Sequence, residues 1–148
     1  MPVRNDVLTN LETKLKEIKV SNGYHTNINL VSRDVKGWEQ CNSYELPALF
    51  IVDDGTDEKL GYYKVDSTIY VLRKMQIVLL GYVRATKNIS VVFNKLFADL
   101  EKHLGSVNLG SNVREVMNPD PMMTFTVPPH LIFQMPVTIL YFFDKSNP

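Results

Sequence analysis

Few residues in this sequence could carry out covalent or metal chemistry. The three histidines, His25, His103 and His130, are isolated from one another, and no HxxxH or CxxC pair has metal-ligand spacing. The single cysteine, Cys41, would need a base and an electropositive setting to act as a nucleophile, and the spacing indicates neither. We therefore expect Cys41 to be a small, buried or half-buried residue. The sequence shows no motif for catalysis, metal binding or cofactor binding, and we expect a protein that is not an enzyme.

A structural role is the better interpretation of His103. It falls near the C-terminal end of a predicted helix, where an imidazole interacts favourably with the helix dipole. Asp99 lies one helical turn earlier and is its natural partner.

Two further segments resemble ligand-binding loops only superficially. The acidic cluster Asp53, Asp54, Asp57 and Glu58 lacks the alternating ligands and the glutamate at the twelfth position of an EF-hand loop, so we predict a solvated turn. Residues 105–111 have two glycines at the separation of a phosphate-binding loop. They carry serine where the lysine should be, however, and follow a helix, so we predict an ordinary loop.

Composition excludes several classes of protein. The chain has 148 residues, 45% of them hydrophobic, with 16 basic and 16 acidic side chains. This length favours one domain with a sizeable core, and the apolar fraction is too high for a disordered chain. Zero net charge removes the broad attraction of a basic domain for nucleic acid or an anionic membrane. With no signal-peptide pattern and no apolar run near ~18 residues, we expect a soluble, intracellular protein.

Hydrophobic periodicity predicts two helices and several strands. Leucines and isoleucines at three- and four-residue steps predict an amphipathic helix over residues 6–18. A wide apolar face predicts a second helix, capped by Thr86 or Asn88 and ending at Gly105. Strands are predicted at residues 26–33, 46–52, 60–65, 68–84, 113–117 and 131–144. Residues 118–130 are rich in proline and are predicted to form a loop.

The segment 68–84 is unusually long for a strand. Alternate residues such as Ile69 and Ile77 share one face, which Arg73 and Gly81 interrupt. Seventeen extended residues would span about 56 Å at ~3.3 Å each, whereas typical strands span ~17–20 Å. We expect part of the hairpin that turns at Asp66 and Ser67 to project beyond the core. Pro136 in the last strand predicts an edge position or a bulge.

The order of these elements predicts an α+β fold. We expect a mainly antiparallel sheet with a long β-hairpin and two principal helices packed on one face, in a single domain of residues 1–148.

Several of these segments together resemble the tail terminator (tail completion) proteins of long-tailed bacteriophages. That family consists of small neutral domains that begin with a short amphipathic helix and end on a long apolar strand. The resemblance covers most of the chain but includes no short diagnostic motif. It rests on the helix at 7–18, the strand 47–51 after a tryptophan-containing loop, the strand 70–84, the helix 91–104 and the strand 137–143.

The resemblance implies an assembly function without catalysis. Proteins of this family form a ring, usually a homohexamer, that caps the tail tube, ends its polymerisation and joins the tail to the head. The implied partners are further copies of the chain, the tail tube protein and the neck or connector protein, with the tail sheath as an additional candidate. DNA would pass through the ring only transiently, and no membrane is involved. The implied location is the tail or neck region of the virion, after assembly in the host cytoplasm.

Two sets of residues are candidates for these contacts. The aromatic residues of the strands either pack in the core or, because the ribbon is too long for its own core, are buried at a protein interface. The candidate subunit interface is therefore Tyr62, Tyr70, Arg73, Lys74, Tyr82 and Phe142. If Tyr70 and Tyr82 face a neighbour, their replacement by serine should impair ring formation more than folding. The candidate loops facing the tube, the neck or the lumen contain Asp53, Asp54, Asp57, Glu58, Pro119, Asp120, Met122 and Phe125.

Two other functions fit the same sequence. A head-tail connector or neck adaptor would use a similar small ring-forming domain and would differ only in its neighbours. A small α+β enzyme or ligand-binding domain, with pocket residues brought together only in space, belongs to a different class of protein.

Overall fold

The computed structural model describes residues 2–117 and 123–148. The two helices are α1 (Val3–Leu15) and α2 (Ile89–Ser106). The strands are β1 (Leu30–Ser32), β2 (Ala48–Val52), β3 (Asp57–Val65), β4 (Thr68–Arg84), β5 (Val113–Met117), β6 (Met123–Val127) and β7 (His130–Asp144). All strand pairs are antiparallel except β1 with β2. The α+β prediction with a mainly antiparallel sheet is confirmed.

Two long central strands organise the sheet. β4 and β7 pair continuously from Tyr70 opposite Asp144 to Arg84 opposite His130. On the outer side of β4, β2 and β3 pair with successive stretches of that strand. On the outer side of β7, β6 and β5 do the same. The sheet therefore has two continuous central strands, β4 and β7. Two shorter strands lie on each side of this pair, and β1 pairs with β2 at the margin.

Pro136 lies in β7 between the stretches that pair with β6 and with β5. The amide of Lys145 donates to the carbonyl of Ile69. Because hydrogen bonds alternate between the two sides of a strand, the odd-numbered residues of β7 therefore bond towards β4. The nitrogen of Pro136 therefore points to the other side. There, pairing with β6 stops at Gln134 and pairing with β5 begins at Thr138. The absent N–H of proline is tolerated because no register partner faces it among the described residues.

Both helices pack on the same face of the sheet and form the main core. Their apolar side chains meet the odd-numbered residues of β4 and β7, as the alternation in the sequence predicts. The fully buried members of this core include Leu8, Leu11, Leu96, Leu100, Met75, Leu79, Phe133 and Ile139.

The opposite face of the sheet has a smaller core at one end. Ala48, Phe50 and Tyr82 are buried there beneath Trp38 and Leu46, which belong to the connection between β1 and β2. This connection contains two short 3-10 turns, Trp38–Gln40 and Ser43–Glu45. Further along the same face, towards the β3–β4 turn, Leu72, Lys74, Leu140 and Phe142 are half-buried.

Several boundaries differ from the sequence prediction. α1 occupies residues 3–15 instead of 6–18, and Ile18 is buried after the helix has ended. The predicted strand 26–33 is reduced to the three residues of β1. The predicted loop 118–130 is wrong at residues 123–127, which form β6. Four of its five side chains are exposed, so the sequence shows none of the buried alternation typical of a strand.

Candidate assembly surface

Exposed apolar side chains concentrate on the β3–β4 hairpin. Five of the eleven large exposed apolar residues in the described chain lie there, namely Leu60, Tyr62, Tyr63, Val65 and Ile69, at 37–54% exposure. They occupy both faces of the ribbon, because cross-strand neighbours share a face and successive residues alternate. The hairpin therefore extends beyond the two cores, as the length of β4 predicts.

One face of the hairpin carries an aromatic cluster. The rings of Tyr63 and Tyr70 stack with centroids 5.2 Å apart. Phe142 of β7 meets these rings edge-on, at 6.1 Å from Tyr63 and 5.8 Å from Tyr70. Such pairs stabilise the sheet by about 0.5–1.5 kcal/mol each beyond their buried area. The cluster makes the hairpin a rigid surface, with Tyr63 still 37% exposed.

The other face of the hairpin is basic around one tyrosine. Lys59 donates a 2.8 Å hydrogen bond to the hydroxyl of Tyr62 and lies 4.6 Å from its ring centroid. Lys145 approaches the same ring at 5.3 Å. The hydrogen bond from Lys59 lowers the pKa of Tyr62. Tyr62 remains 54% exposed, so an aromatic surface flanked by ammonium groups faces solvent.

A polar network holds the root of the hairpin. Arg4 of α1 donates to Asp53 at 2.7 Å and to Asp57 at 3.1 Å. Asp57 also accepts from the Tyr141 hydroxyl at 2.6 Å and from Arg73 at 3.1 Å. These contacts join α1, the turn after β2, and strands β3, β4 and β7. The network fixes where β3 starts and thus the direction in which the hairpin leaves the core.

Burial and charge pairing shift the titration of this network. The hydrogen bonds from Arg4 hold the pKa of Asp53 below its usual range, and the same pairing raises the pKa of Arg4. Burial, reinforced by the hydrogen bond to Asp57, raises the pKa of Tyr141. The two arginines of the network therefore balance the charges of its two aspartates.

The acidic residues differ from the predicted solvated turn. Asp53 and Asp57 form ion pairs with side chains only 21% and 12% exposed. Asp57 and Glu58 belong to β3, and Glu58 pairs with Lys74 of β4 at 3.4 Å. Asp54 accepts from the Thr56 amide within the turn itself. The prediction of a solvated turn is thus wrong for Asp53 and Asp57.

The predicted interface residues also fall into different environments. Tyr62 and Tyr70 lie on the hairpin and Phe142 lies beside it on β7, whereas Arg73 and Lys74 are engaged in ion pairs. Tyr82 is only 4% exposed and donates to the Lys36 carbonyl, so it is a core residue and is removed from the candidate interface.

The predicted loop residues are divided by the limits of the described chain. Phe125 lies on β6 and is 65% exposed. Pro119, Asp120 and Met122 lie outside the described residues.

Sequence reasoning missed two features of the structure. Arg4 was not recognised as a partner of the acidic residues, since nearly fifty positions separate them in the chain. β6 was hidden among prolines. The only sequence signal for it is its β-prone composition, MTFTV.

His103 has the structural role predicted for it but different partners. Its Nε2 contacts the Lys14 carbonyl at 2.6 Å, so Nε2 carries the proton, and its Nδ1 meets the Tyr24 hydroxyl at 2.6 Å. The predicted pairing with Asp99 is wrong. Asp99 is buried and accepts from the backbone amides of His25 and Thr26. Both side chains thereby attach the segment after α1 to α2.

Across the described residues, no group of three or more His, Cys, Asp or Glu side chains could hold a metal ion. No helix in residues 2–117 or 123–148 is long and apolar enough to cross a membrane. The chain matches no protein-family model and no curated protein.

Proposed function

We propose that the protein is a structural subunit whose copies associate through the β3–β4 hairpin into a ring, and that this ring caps a phage tail tube as a tail terminator does. The observation that carries the proposal is the hairpin itself, which projects from the core and exposes apolar side chains on both faces. Exposed contiguous apolar surface indicates an interaction site.

Physical arguments favour association between copies. Burying apolar surface contributes about 25 cal/mol per Å², and the aromatic cluster is already ordered, so little side-chain entropy is lost on binding. The hairpin stands at one corner of the sheet, because β3 pairs with only one end of β4. A contact between it and a different patch of the next copy is heterologous, and heterologous contacts generate closed rings when the rotation between subunits closes.

The terminator role rests on the sequence resemblance, and the element order and long hairpin are compatible with it. In this role the ring ends polymerisation of the tube and provides the surface that joins tail to head. The tail tube protein, the neck or connector protein and the tail sheath are the proposed partners. DNA passes through the lumen only in transit. The site of action is the tail or neck of the virion, after assembly in the host cytoplasm.

Solution mass tests the ring. Light scattering and native mass spectrometry are expected to show an oligomer of about six copies, with rings visible by negative-stain electron microscopy. Replacing Tyr62 and Tyr63 together by serine should give folded monomers, because both side chains are exposed on the hairpin. The matched control is Tyr44→Ser, since Tyr44 is 75% exposed but lies in the connection before β2. A wild-type chain that stays monomeric at high concentration, or a double variant that assembles normally, contradicts the proposal.

Tube capping tests the terminator role separately from the ring. Added to a polymerising tail tube protein, the purified chain is expected to bind tube ends and stop elongation. Binding to the head connector without any effect on tube length would instead favour the neck adaptor. The double serine variant should lose the capping effect together with the ring.

A further inference from the structure

Within the described part of the chain, β6 is an edge strand, and its own residues lack the features that usually protect such edges. Its five residues, MTFTV, include no charge and no proline, and its register with β7 is continuous, without a bulge. Met123 and Phe125 are each 65% exposed. Among the described residues, β7 is its only strand partner. Unprotected edges with unpaired backbone groups are templates for the addition of another strand.

The hydrogen-bond alternation shows which backbone groups of β6 are free. Because odd-numbered residues of β7 bond towards β4, its even-numbered residues bond towards β6. The residues opposite them are Met123, Phe125 and Val127. The N–H and C=O groups of Thr124 and Thr126 therefore point away from β7, and they have no backbone partner in residues 2–117 and 123–148.

The outer edge of β3 has a matching stretch. The amide of Gln76 donates to the Thr56 carbonyl, so even-numbered residues of β4 bond towards β3. The even-numbered β4 residues 68, 70 and 72 lie opposite residues 65, 63 and 61 of β3 and bond to them. The N–H and C=O groups of Tyr62 and Lys64, which lie between these positions, therefore face outward. Before this stretch, the bulge between Lys59 and Gly61 and the carboxylates of Asp57 and Glu58 protect the edge. Five residues of free edge remain.

We propose that residues 61–65 of one copy add as a strand to β6 of the next copy. This inference rests on the proposed self-association and names the surface that receives the hairpin. The occupant is a second copy because the two edges have equal length and similar apolar chemistry. Tyr63 and Val65 share one face of β3, as Met123 and Phe125 share one face of β6, and all four are exposed. Cross-strand aromatic and β-branched pairs stabilise such ladders.

Position and area agree with this assignment. β3 pairs with β4 near the Asp66 turn, whereas β6 pairs with β7 at the opposite end of the sheet, on the opposite margin. Each copy thus has one donor edge and one acceptor edge, which makes the contact head-to-tail. Tyr62 and Tyr63 of the donor edge, 54% and 37% exposed, and Met123 and Phe125 of the acceptor edge, each 65% exposed, give both partners apolar area to bury.

Two proline substitutions test the edges without removing bonds inside the subunit. Thr124→Pro deletes an outward N–H of β6, and Lys64→Pro deletes one of β3. Each should weaken association about tenfold or more, which corresponds to ~1.4 kcal/mol, measured by sedimentation velocity. Thr124→Val and Lys64→Ala keep the amides and should assemble as the wild-type chain does. Circular dichroism identifies any variant that has lost its fold.

Mixing the two proline variants gives the decisive result. One retains the donor edge and the other the acceptor edge, so an equimolar mixture should form a one-to-one dimer that cannot grow. The strand addition is overturned if Thr124→Pro or Lys64→Pro assembles at wild-type strength, or if the mixture stays monomeric. The ring proposal still stands in that case if the wild-type chain forms rings. A monomeric wild-type chain overturns both.

Discussion

Gly81 faces a fully buried aromatic ring of the main core, and its replacement by alanine is a sharp test of the packing. It sits in the middle of β4, between Leu49 of β2 and Phe133 of β7. The ring of Phe133 lies directly over it. A Cβ atom added at Gly81 would be 2.0 Å, 2.2 Å and 2.7 Å from three carbons of that ring.

The geometry determines both the sign and the size of the effect. Carbon atoms pack best at roughly 3.5–4.0 Å, so the ring would have to move by about 1.5 Å. Phe133 is fully buried, and Phe93 of α2 contacts it at a centroid distance of 5.4 Å. Overpacking of this kind costs about 1–3 kcal/mol, and we expect the upper end because α2 blocks the movement. In a chain of this size, ~3 kcal/mol lowers the Tm by about 6–12 °C.

Urea denaturation followed by circular dichroism measures this loss. The midpoint of Gly81→Ala should fall at an unchanged m value. Gly61→Ala is the matched control, because Gly61 also lies in a strand but a Cβ there meets nothing within 4 Å. Without a clash, replacing glycine by alanine stabilises by about 0.4–1 kcal/mol through the unfolded chain. The two variants should therefore shift the midpoint in opposite directions.

A double-mutant cycle identifies the cause of the loss. Phe133→Leu alone should destabilise, because it removes buried ring atoms. In the Gly81→Ala background the same change should cost much less, since the smaller side chain relieves the clash. A midpoint for Gly81→Ala at or above that of the wild-type chain would refute the packing argument. So would additive effects of Gly81→Ala and Phe133→Leu.

The polar network of Arg4, Asp53, Asp57 and Tyr141 gives two predictions on the pH dependence of stability. Arg4 lowers the pKa of Asp53, so this pair adds stability above the unfolded pKa of about 3.9 that is lost as the pH falls through the lower folded value. Arg4→Met should cost about 1–2 kcal/mol at pH 7, after allowance for solvent screening, and much less near pH 2. An equal cost at both pH values contradicts the pairing. The raised pKa of Tyr141 means that stability is lost as the pH rises above about 10. Tyr141→Phe should flatten that alkaline decline in urea titrations, and an unchanged decline would assign it to other groups.

The long elements were predictable because their signals are local. Alternation in β4 and β7 and the apolar face of α2 reflect burial against one large core, and each residue contributes to a repeating pattern. The projection of the hairpin follows from the same count, since seventeen strand residues exceed what the core can cover.

The distribution of the aromatic residues was not predictable in the same way. Tyr70 and Tyr82 share one face of β4 and look equivalent in sequence. Only the connection carrying Trp38 and Leu46, about forty positions away, buries Tyr82 and leaves Tyr70 half-exposed. The sequence of a strand does not indicate which distant segment packs on it.

By itself, the sequence therefore determined the fold class, the two central strands, the second helix and the projecting hairpin. These features follow from the periodic spacing of apolar residues along the chain. The tertiary structure alone decided that Asp53 and Asp57 pair with Arg4, that β6 is a strand with a free edge, and that Tyr82 belongs to the core. Each of these depends on which distant segments meet in space, and hydrogen bonds and ion pairs between such segments leave no period in the chain.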